Sequence, residues 1–371
     1  MDKVLLLGGG LQGLSFGESL YKLKGYDLSV ISNGFDIRKS HFFRNKYSGR
    51  LAEYNIVLDQ IFQKEHYDLI VPMGDTSVAY LSEHQKQIES RYHTKCAVVD
   101  KAIHSIVADK GRFMTFCKEN DFPHPLTASL TEASLETAAQ EVGFPSLIKP
   151  DHSVGARGIT KVYSLEELQS QYHKIYQKYG PCTLQEFIDN PDYYYNVMMY
   201  RDSHGQTTSA IIKIVRKYPV EAGSSSCCIS VDNPELAKIC QKVMDKLNWV
   251  GMADFDVLQR KDTLEYKIIE VNPRVPASLR AAFVSGINFP EIMVRDALGM
   301  EYQQGVYKPG KVLRYLGIDL LWFLKSSNRF KSSPSWFRFY GKDIYYQDLM
   351  KSDPSTWYSW LVKGLQKLNN R

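Results

Sequence analysis

Several common chemistries are missing their signatures in this chain. Its six cysteines form no CxxC pair and follow no regular spacing, so neither a zinc site nor a disulfide framework is indicated. A reduced, cytoplasmic setting is the expectation. No run of five or six Lys or Arg occurs and the net charge is only +5; nucleic acid is not expected as a partner, whereas an anionic small molecule would suit the charge. No stretch of eighteen apolar residues is present, so no transmembrane helix is expected. The opening Met1-Asp2-Lys3-Val4 lacks the apolar length and cleavage site of a signal peptide. GxSxG and HExxH are absent, and no convincing Cys/His pairing emerges from nine histidines, which leaves no evident side-chain nucleophile. Internal repeats and low-complexity tracts are also lacking.

What is present is an ordinary globular composition, 371 residues with 44% hydrophobic and 23% charged, enough for two or three domain-sized units. In the first hundred residues, strand-like runs Val4 to Leu7, Leu28 to Ile31, Leu69 to Pro72 and Ala97 to Val99 alternate with helical stretches such as Leu14 to Leu23 and Ala52 to Lys64. This βαβ alternation implies a mainly parallel α/β sheet over residues 1–105. Gly8-Gly9-Gly10-Leu11-Gln12-Gly13 matches GxGxxG, but Val30-Ile31-Ser32-Asn33 carries no acid for a ribose. A glycine turn used for packing or a small anion is therefore expected over a dinucleotide site.

After Ala108 the texture becomes α+β. Helices are expected at Lys110 to Asn120, Ser134 to Val142 and Pro234 to Leu247. Strands are expected at Ser146 to Lys149, Ile159 to Tyr163, Thr183 to Ile188, Tyr194 to Arg201, Thr208 to Val215, Ala253 to Leu258 and Tyr266 to Val271. Turns at Asp202-Ser203-His204-Gly205 and Lys261-Asp262 make hairpins and antiparallel sheets. We divide this region into 106–182 and 183–304, followed by a C-terminal extension, 305–371, rich in Trp, Tyr, Lys and Arg. Such an extension usually packs back on its domain; its composition also suits a membrane surface or a protein partner.

The chemistry concentrates in Ile268-Ile269-Glu270-Val271-Asn272-Pro273-Arg274. Glu270 and Asn272 are two apart on a strand, so both face one way and can share a hard cation through oxygen, with Arg274 one step further. Lys149 ends a strand before a loop holding Ser153, Gly155 and Gly158, where backbone N–H groups can approach phosphate. Lys110 is a second phosphate cation. Gln185-Glu186-Phe187-Ile188 suits adenine recognition by main chain, and Asp192 offers a carboxylate for ribose.

In this order and spacing, Asp109-Lys110, Pro145 to Pro150, Gly155-Ala156-Arg157-Gly158, Gln185 to Ile188, Asp254-Phe255 and Glu270 to Arg274 resemble the ATP-grasp superfamily. The likeness runs over about residues 1–304 and is nearest the carbamoyl-phosphate-synthase-like and carboxylate–amine ligase branch, which includes D-aspartate-ligase-like enzymes. The resemblance implies a parallel-sheet domain preceding a two-subdomain ATP-grasp fold, with ATP and Mg²⁺ (or Mn²⁺) as cofactors. It implies Lys110 and Lys149 on the phosphates, Ser153 to Gly158 as their cover, Glu186, Phe187 and Ile188 as the adenine hinge, and Asp192 on the ribose. Metal ligands would be Glu270, Asn272 and one of Asp254 or Asp256, with Arg274 steadying the reacting group. The activity implied is ligation of a small carboxylate to an amine through an acyl phosphate; phosphorylation of a bicarbonate-derived species and a non-catalytic nucleotide-binding module are the alternatives. Lys213, Arg216, Lys217 and Arg280 are candidates for holding an anionic substrate, His152 reads as a solvated loop residue, and a homodimer would be unexceptional. Val275-Pro276-Ala277-Ser278 departs from the aromatic and Gly-Ser segment common in D-aspartate-ligase-like relatives, which leaves the carboxylate unnamed.

Overall fold

A computed structural model of the chain describes residues 1–153, 157–189, 194–220 and 223–357, with the side chains of residues 35 and 36 outside the description. The first layer is a five-stranded parallel sheet. Its strands are β1 (Asp2–Leu7), β2 (Tyr26–Ile31), β3 (Asn45–Tyr47), β4 (Leu69–Pro72) and β5 (Lys95–Cys96), in the spatial order β3-β2-β1-β4-β5. Helices α1 (Gly10–Leu23), α2 (Phe35–Lys39), α3 (Tyr54–Phe62) and α4 (Asp75–Tyr92) connect them. Val4 to Leu7 are buried without alternation, the mark of a parallel strand covered on both faces. The last strand falls at Lys95–Cys96 and not at Ala97 to Val99. As an edge strand it pairs only with β4, and Val99 leaves the ladder to pack in the core beside Phe113 and Val197.

The glycine turn after β1 is filled from within. A Cβ at Gly9 would lie 2.7 Å from Ser32 Oγ and 2.9 Å from Ile37 Cδ1, and one at Gly13 would lie 2.7 Å from the same Ile37 atom. These glycines admit Ile37, which is the packing use of the motif.

Helices α5 (Lys101–Val107) and α6 (Lys110–Glu119) lead into a four-stranded antiparallel sheet. It comprises β6 (Thr127–Leu130), β7 (Ser146–Pro150), β8 (Thr160–Val162) and β9 (Cys182–Glu186), in the order β6-β9-β7-β8, backed by α7 (Leu135–Val142) and α8 (Leu165–Tyr179). Strand β9 pairs with β6 and β7, so this sheet continues past residue 183.

The third sheet has seven strands. It is built from β10 (Tyr194–Arg201), β11 (Thr207–Tyr218), β12 (Ser224–Val231), β13 (Gly251–Gln259) and β14 (Tyr266–Asn272), with α9 (Pro234–Lys246), α10 (Leu279–Val284) and α11 (Phe289–Ala297) packed around it. The C-terminal segment completes it with β15 (Val312–Arg314) and β16 (Ile344–Tyr346), joined through α12 (Leu316–Lys325). The order is β14-β13-β10-β11-β12-β15-β16, antiparallel except for the last pair. One face packs on α10, α11 and the first sheet through Met198, Ile212, Phe289 and Leu6; the other packs on α9 and α6 through Val197, Phe255, Leu236 and Phe113. All six cysteines are buried thiols. No helix among the described residues is long and apolar enough to cross a membrane.

Candidate active site

The hairpin β13–β14 brings the acidic residues together. In its register Asp254 faces Asn272 and Asp256 faces Glu270, while β10 sets Asn196 against Asp256 on the other side. Directly opposed residues share a sheet face, so these four side chains and Asn196 lie on one surface. Asp256 Oδ1 accepts from the Tyr194 hydroxyl at 2.9 Å and from the Asn196 amide. Asn272 Nδ2 donates to Asp256 Oδ2 and to Glu270 Oε1, both at 3.3 Å. Asp254 Oδ1 is buried with no hydrogen-bond partner.

Packing like charges in a buried place has a measurable consequence. Burial, helped by repulsion from Glu270 and Asp254, holds Asp256 well above the usual carboxylate range. Burial likewise pushes Asp254 up to about 7, with Arg274 opposing it. A cation among these groups would relieve both causes. Among the described residues no three His, Cys, Asp or Glu side chains close on one point as a complete protein cage. Mg²⁺ does not require one, because it usually takes one or two carboxylates and fills its shell with phosphate and water. The donor set and the orphaned Asp254 oxygen therefore fit such an ion.

The cations arrive from helix α6 and the neighbouring four-stranded sheet. Lys110 opens α6, whose N-cap Asp109 accepts from the Arg112 amide; its Nζ donates to the Ser153 carbonyl at 2.6 Å and stands 3.8 Å from Glu270 Oε2. Lys149, buried near the end of β7, donates to Gln185 Oε1 on the adjacent β9. Burial lowers its pKa to about 8; Lys110 adds to the fall, while Glu270 and Asp256 oppose it. Gly158 has φ +77°, and a Cβ there would lie 2.7 Å from the Tyr179 ring and 2.9 Å from Pro150, so this end of the loop can approach only as glycine. Gly155 and Asp192 lie outside the described residues.

At the expected hinge, the Glu186 side chain is engaged by Arg260 and by the Leu126 amide at 3.2 Å. Phe187 receives the Lys161 ammonium 3.3 Å from its ring centroid, a cation–π contact, and Ile188 is buried. Arg274 donates to Asn272 Oδ1 at 3.1 Å and to Asp75 Oδ1, at the start of α4, at 2.6 Å. The site is thereby tied to the first sheet. His152 stands exposed, 3.4 Å from Asp109.

Three of the proposed substrate residues are otherwise placed. Arg216 is buried and clamps Asp319 through both nitrogens at 2.7 and 2.9 Å. Arg280 is clamped on Glu18 at 2.7 and 3.1 Å and also donates to the Tyr346 carbonyl. Each guanidinium is thus committed to a buried carboxylate, and turning to a substrate would break a two-pronged ion pair. Lys213 is in register with Tyr195, and Tyr195 with Val257, so it lies on the sheet face opposite Asp256. Lys217, beyond a bulge in β11, lies on the site's side, 5.9 Å from the Tyr194 ring centroid. Tyr194, Asn196 and Asp75 are additions, as is the side-chain contact of Gln185 with Lys149. The alternation in Tyr194-Tyr195-Asn196 offered a signal for the first two; no local signal marked Asp75, 199 positions from Arg274.

Known proteins agree with this architecture. The family described as "ATP-grasp in the biosynthetic pathway with Ter operon" matches residues 183–318. D-aspartate ligase of Enterococcus faecium is 23% identical over 279 residues, covering 69% of this chain and 66% of that protein. A carbamoyl phosphate synthase large chain from Methanoregula boonei is 22% identical over 326 residues, 80% of this chain. The chain thus spans just under two thirds of the first relative and 30% of the second. Among solved structures, N5-carboxyaminoimidazole synthetase from Staphylococcus aureus superposes with a TM-score of 0.70 at 16% identity, covering 88% of this chain and 86% of that one. Biotin carboxylase from Campylobacter jejuni gives 0.69 at 18%, covering 84% and 74%. Residues 183–318 thus resemble an ATP-grasp family, and the fold of the chain is similar to those of biotin carboxylase and N5-carboxyaminoimidazole synthetase.

Proposed function

We propose that the protein is an ATP- and Mg²⁺-dependent ligase that activates a small carboxylate as an acyl phosphate and joins it to an amine, releasing ADP and phosphate. The observation that carries this reading is the opposition of Asp256, Glu270 and Asn272 to Lys110 and Lys149, with Arg274 beside them. Phosphoryl transfer to a carboxylate brings two anions together, so its catalysis is mainly positioning and charge compensation. Asp256, Glu270 and Asn272 are the residues assigned to Mg²⁺, which when bound would neutralise phosphate charge. Asp256 stands directly opposite Glu270, and Asp254, whose buried Oδ1 has no hydrogen-bond partner, is the alternative ligand.

Lys149 and Lys110 would hold the nucleotide phosphates, and the segment from Ser153 to Gly158 would cover them. Arg274, fixed by Asp75 and Asn272, would steady the reacting oxygens. Once the acyl phosphate forms, an amine displaces phosphate, and no side-chain nucleophile is required. Lys217, its pKa lowered by burial, is the basic residue assigned to the substrate carboxylate in place of Arg216 and Arg280.

Glu270→Gln changes one ligand's charge and almost no volume. It should lower carboxylate-dependent ADP formation by about 100-fold or more while leaving the thermal transition in place. Turnover equal to the parent's would remove Glu270 from the metal site.

A further inference from the structure

Beyond the active site, the segment from Leu320 to Lys342 contains five Lys or Arg and no Asp or Glu. It also carries a continuous cluster of aromatic rings. Phe323 stacks on Trp336 at 4.1 Å and meets Phe330 and Phe337 edge-on at 5.7 and 5.5 Å; Phe330 and Phe337 lie parallel at 6.2 Å. The inner pair is half-buried, but Phe330, Phe337 and Tyr340 are 71, 56 and 91% exposed, and Leu324 is exposed beside them. Rings this prominent stand out from the surface.

The loop that carries them is held firmly from beneath. Arg216 donates to the Pro334 carbonyl at 2.8 Å, Arg314 to the Arg338 carbonyl at 3.0 Å, and the Trp336 indole N–H to the Asp319 carbonyl at 3.1 Å. The nearest acids are already paired: Asp319 lies buried between Arg216 and Arg314, and Asp343 holds Lys311 at 2.6 Å. Lys325, Lys331 and Arg338 are exposed around the rings; Asp343, the acid beside Arg338 and Lys342, is engaged by Lys311.

We propose that this aromatic and basic surface docks the protein peripherally on an anionic lipid bilayer. Aromatic side chains settle at the level of lipid headgroups, and flanking cations are drawn to anionic lipid. A bilayer accommodates protruding rings without needing a matching cleft. A second copy of the chain is disfavoured, because an isologous contact would set five cations against five. The surface lies apart from the acidic hairpin, so this inference does not depend on the ligase reading.

The test is co-sedimentation of the full chain with vesicles of equal parts phosphatidylglycerol and phosphatidylcholine, beside vesicles of phosphatidylcholine alone. The parent should bind the anionic vesicles, lose binding as salt is raised, and stay in solution with the neutral ones. Phe330→Ser with Phe337→Ser, and separately Lys325→Glu with Lys331→Glu, should each weaken binding by about tenfold or more. Both pairs replace exposed side chains, and an unchanged melting temperature verifies the fold. A parent that ignores anionic vesicles overturns the proposal, as does parent-like binding by both double variants. Capture by polyglutamate without vesicle binding would assign the surface to an acidic protein and equally overturn it.

Discussion

Lys149 shows at the scale of one residue how burial and a neighbouring like charge shape a cation. Buried, and close enough to Lys110 to be repelled by it, its ammonium is brought down to about 8. On the proposed reading, nucleotide phosphates would bind the protonated form and raise its pKa in the complex. Affinity for ADP should therefore hold steady below about pH 8 and fall as pH rises through that value. Calorimetric titration on either side checks this, and a flat profile would remove Lys149 from the phosphate site. Gly158→Ala should cost about 1–3 kcal/mol, because the new Cβ meets the Tyr179 ring and Pro150; denaturant unfolding reads it directly. The residues legible in the sequence were those whose chemistry is local: Glu270 and Asn272 two apart, Lys149 beside its glycine loop. Arg216 and Arg280 read as free cations because their partners, Asp319 and Glu18, lie 103 and 262 positions away. A cation's spare valence cannot be judged until the chain has folded.

At the scale of elements, strand β11 distributes its charges by its pleat and its bulge. Lys213 goes to one face, Arg216 to a buried carboxylate, and Lys217 to the neighbourhood of Tyr194. The runs Tyr194 to Arg201 and Tyr266 to Val271 were readable as strands because they are short, rich in aromatic and apolar residues, and bounded by turn residues. The β5 edge was misplaced by two residues because Ala97, Val98 and Val99 are apolar for packing and not for pairing. The C-terminal segment contributes β15 and β16 to the largest sheet, which its composition alone did not reveal. Asp319→Ala would leave Arg216 and Arg314 buried without their shared carboxylate. A loss of about 3–5 kcal/mol is expected, measured by denaturant unfolding; a loss under about 1 kcal/mol would mean that the cluster is not holding the segment. Truncation after Gly305 removes β15 and exposes the edge of β12, so the shortened chain should aggregate. A soluble, fully active truncation would contradict that.

Across the whole molecule, one ion pair joins three regions distant in sequence. Glu18 on α1 holds Arg280 on α10, Arg280 reaches the Tyr346 carbonyl on β16, and Ser352 donates to Glu18. Burial alone would raise the Glu18 pKa, but Arg280, Ser352 and Lys22 outweigh it and bring the group from 4.5 to about 2. A depressed carboxylate contributes its stability above the unfolded value, and the contribution drains away as pH falls from about 4.5 towards 2. About 3 kcal/mol is at stake. In Arg280→Ala the acid limb should move upward in pH, with docking of α1 against α10 loosened; an acid limb identical to the parent's would show the pair to be inert. The Asp75–Arg274 contact likewise ties the candidate site to the first sheet. That site's chemistry is the central claim. Phosphorus NMR of the protein with Mg-ATP, a pool of amino acids, small carboxylates and bicarbonate, and hydroxylamine as the amine tests it most directly. ADP and phosphate appearing only when a carboxylate is present is the predicted result. AMP and pyrophosphate would contradict it, because they require attack at the α-phosphate and an adenylate in place of the acyl phosphate.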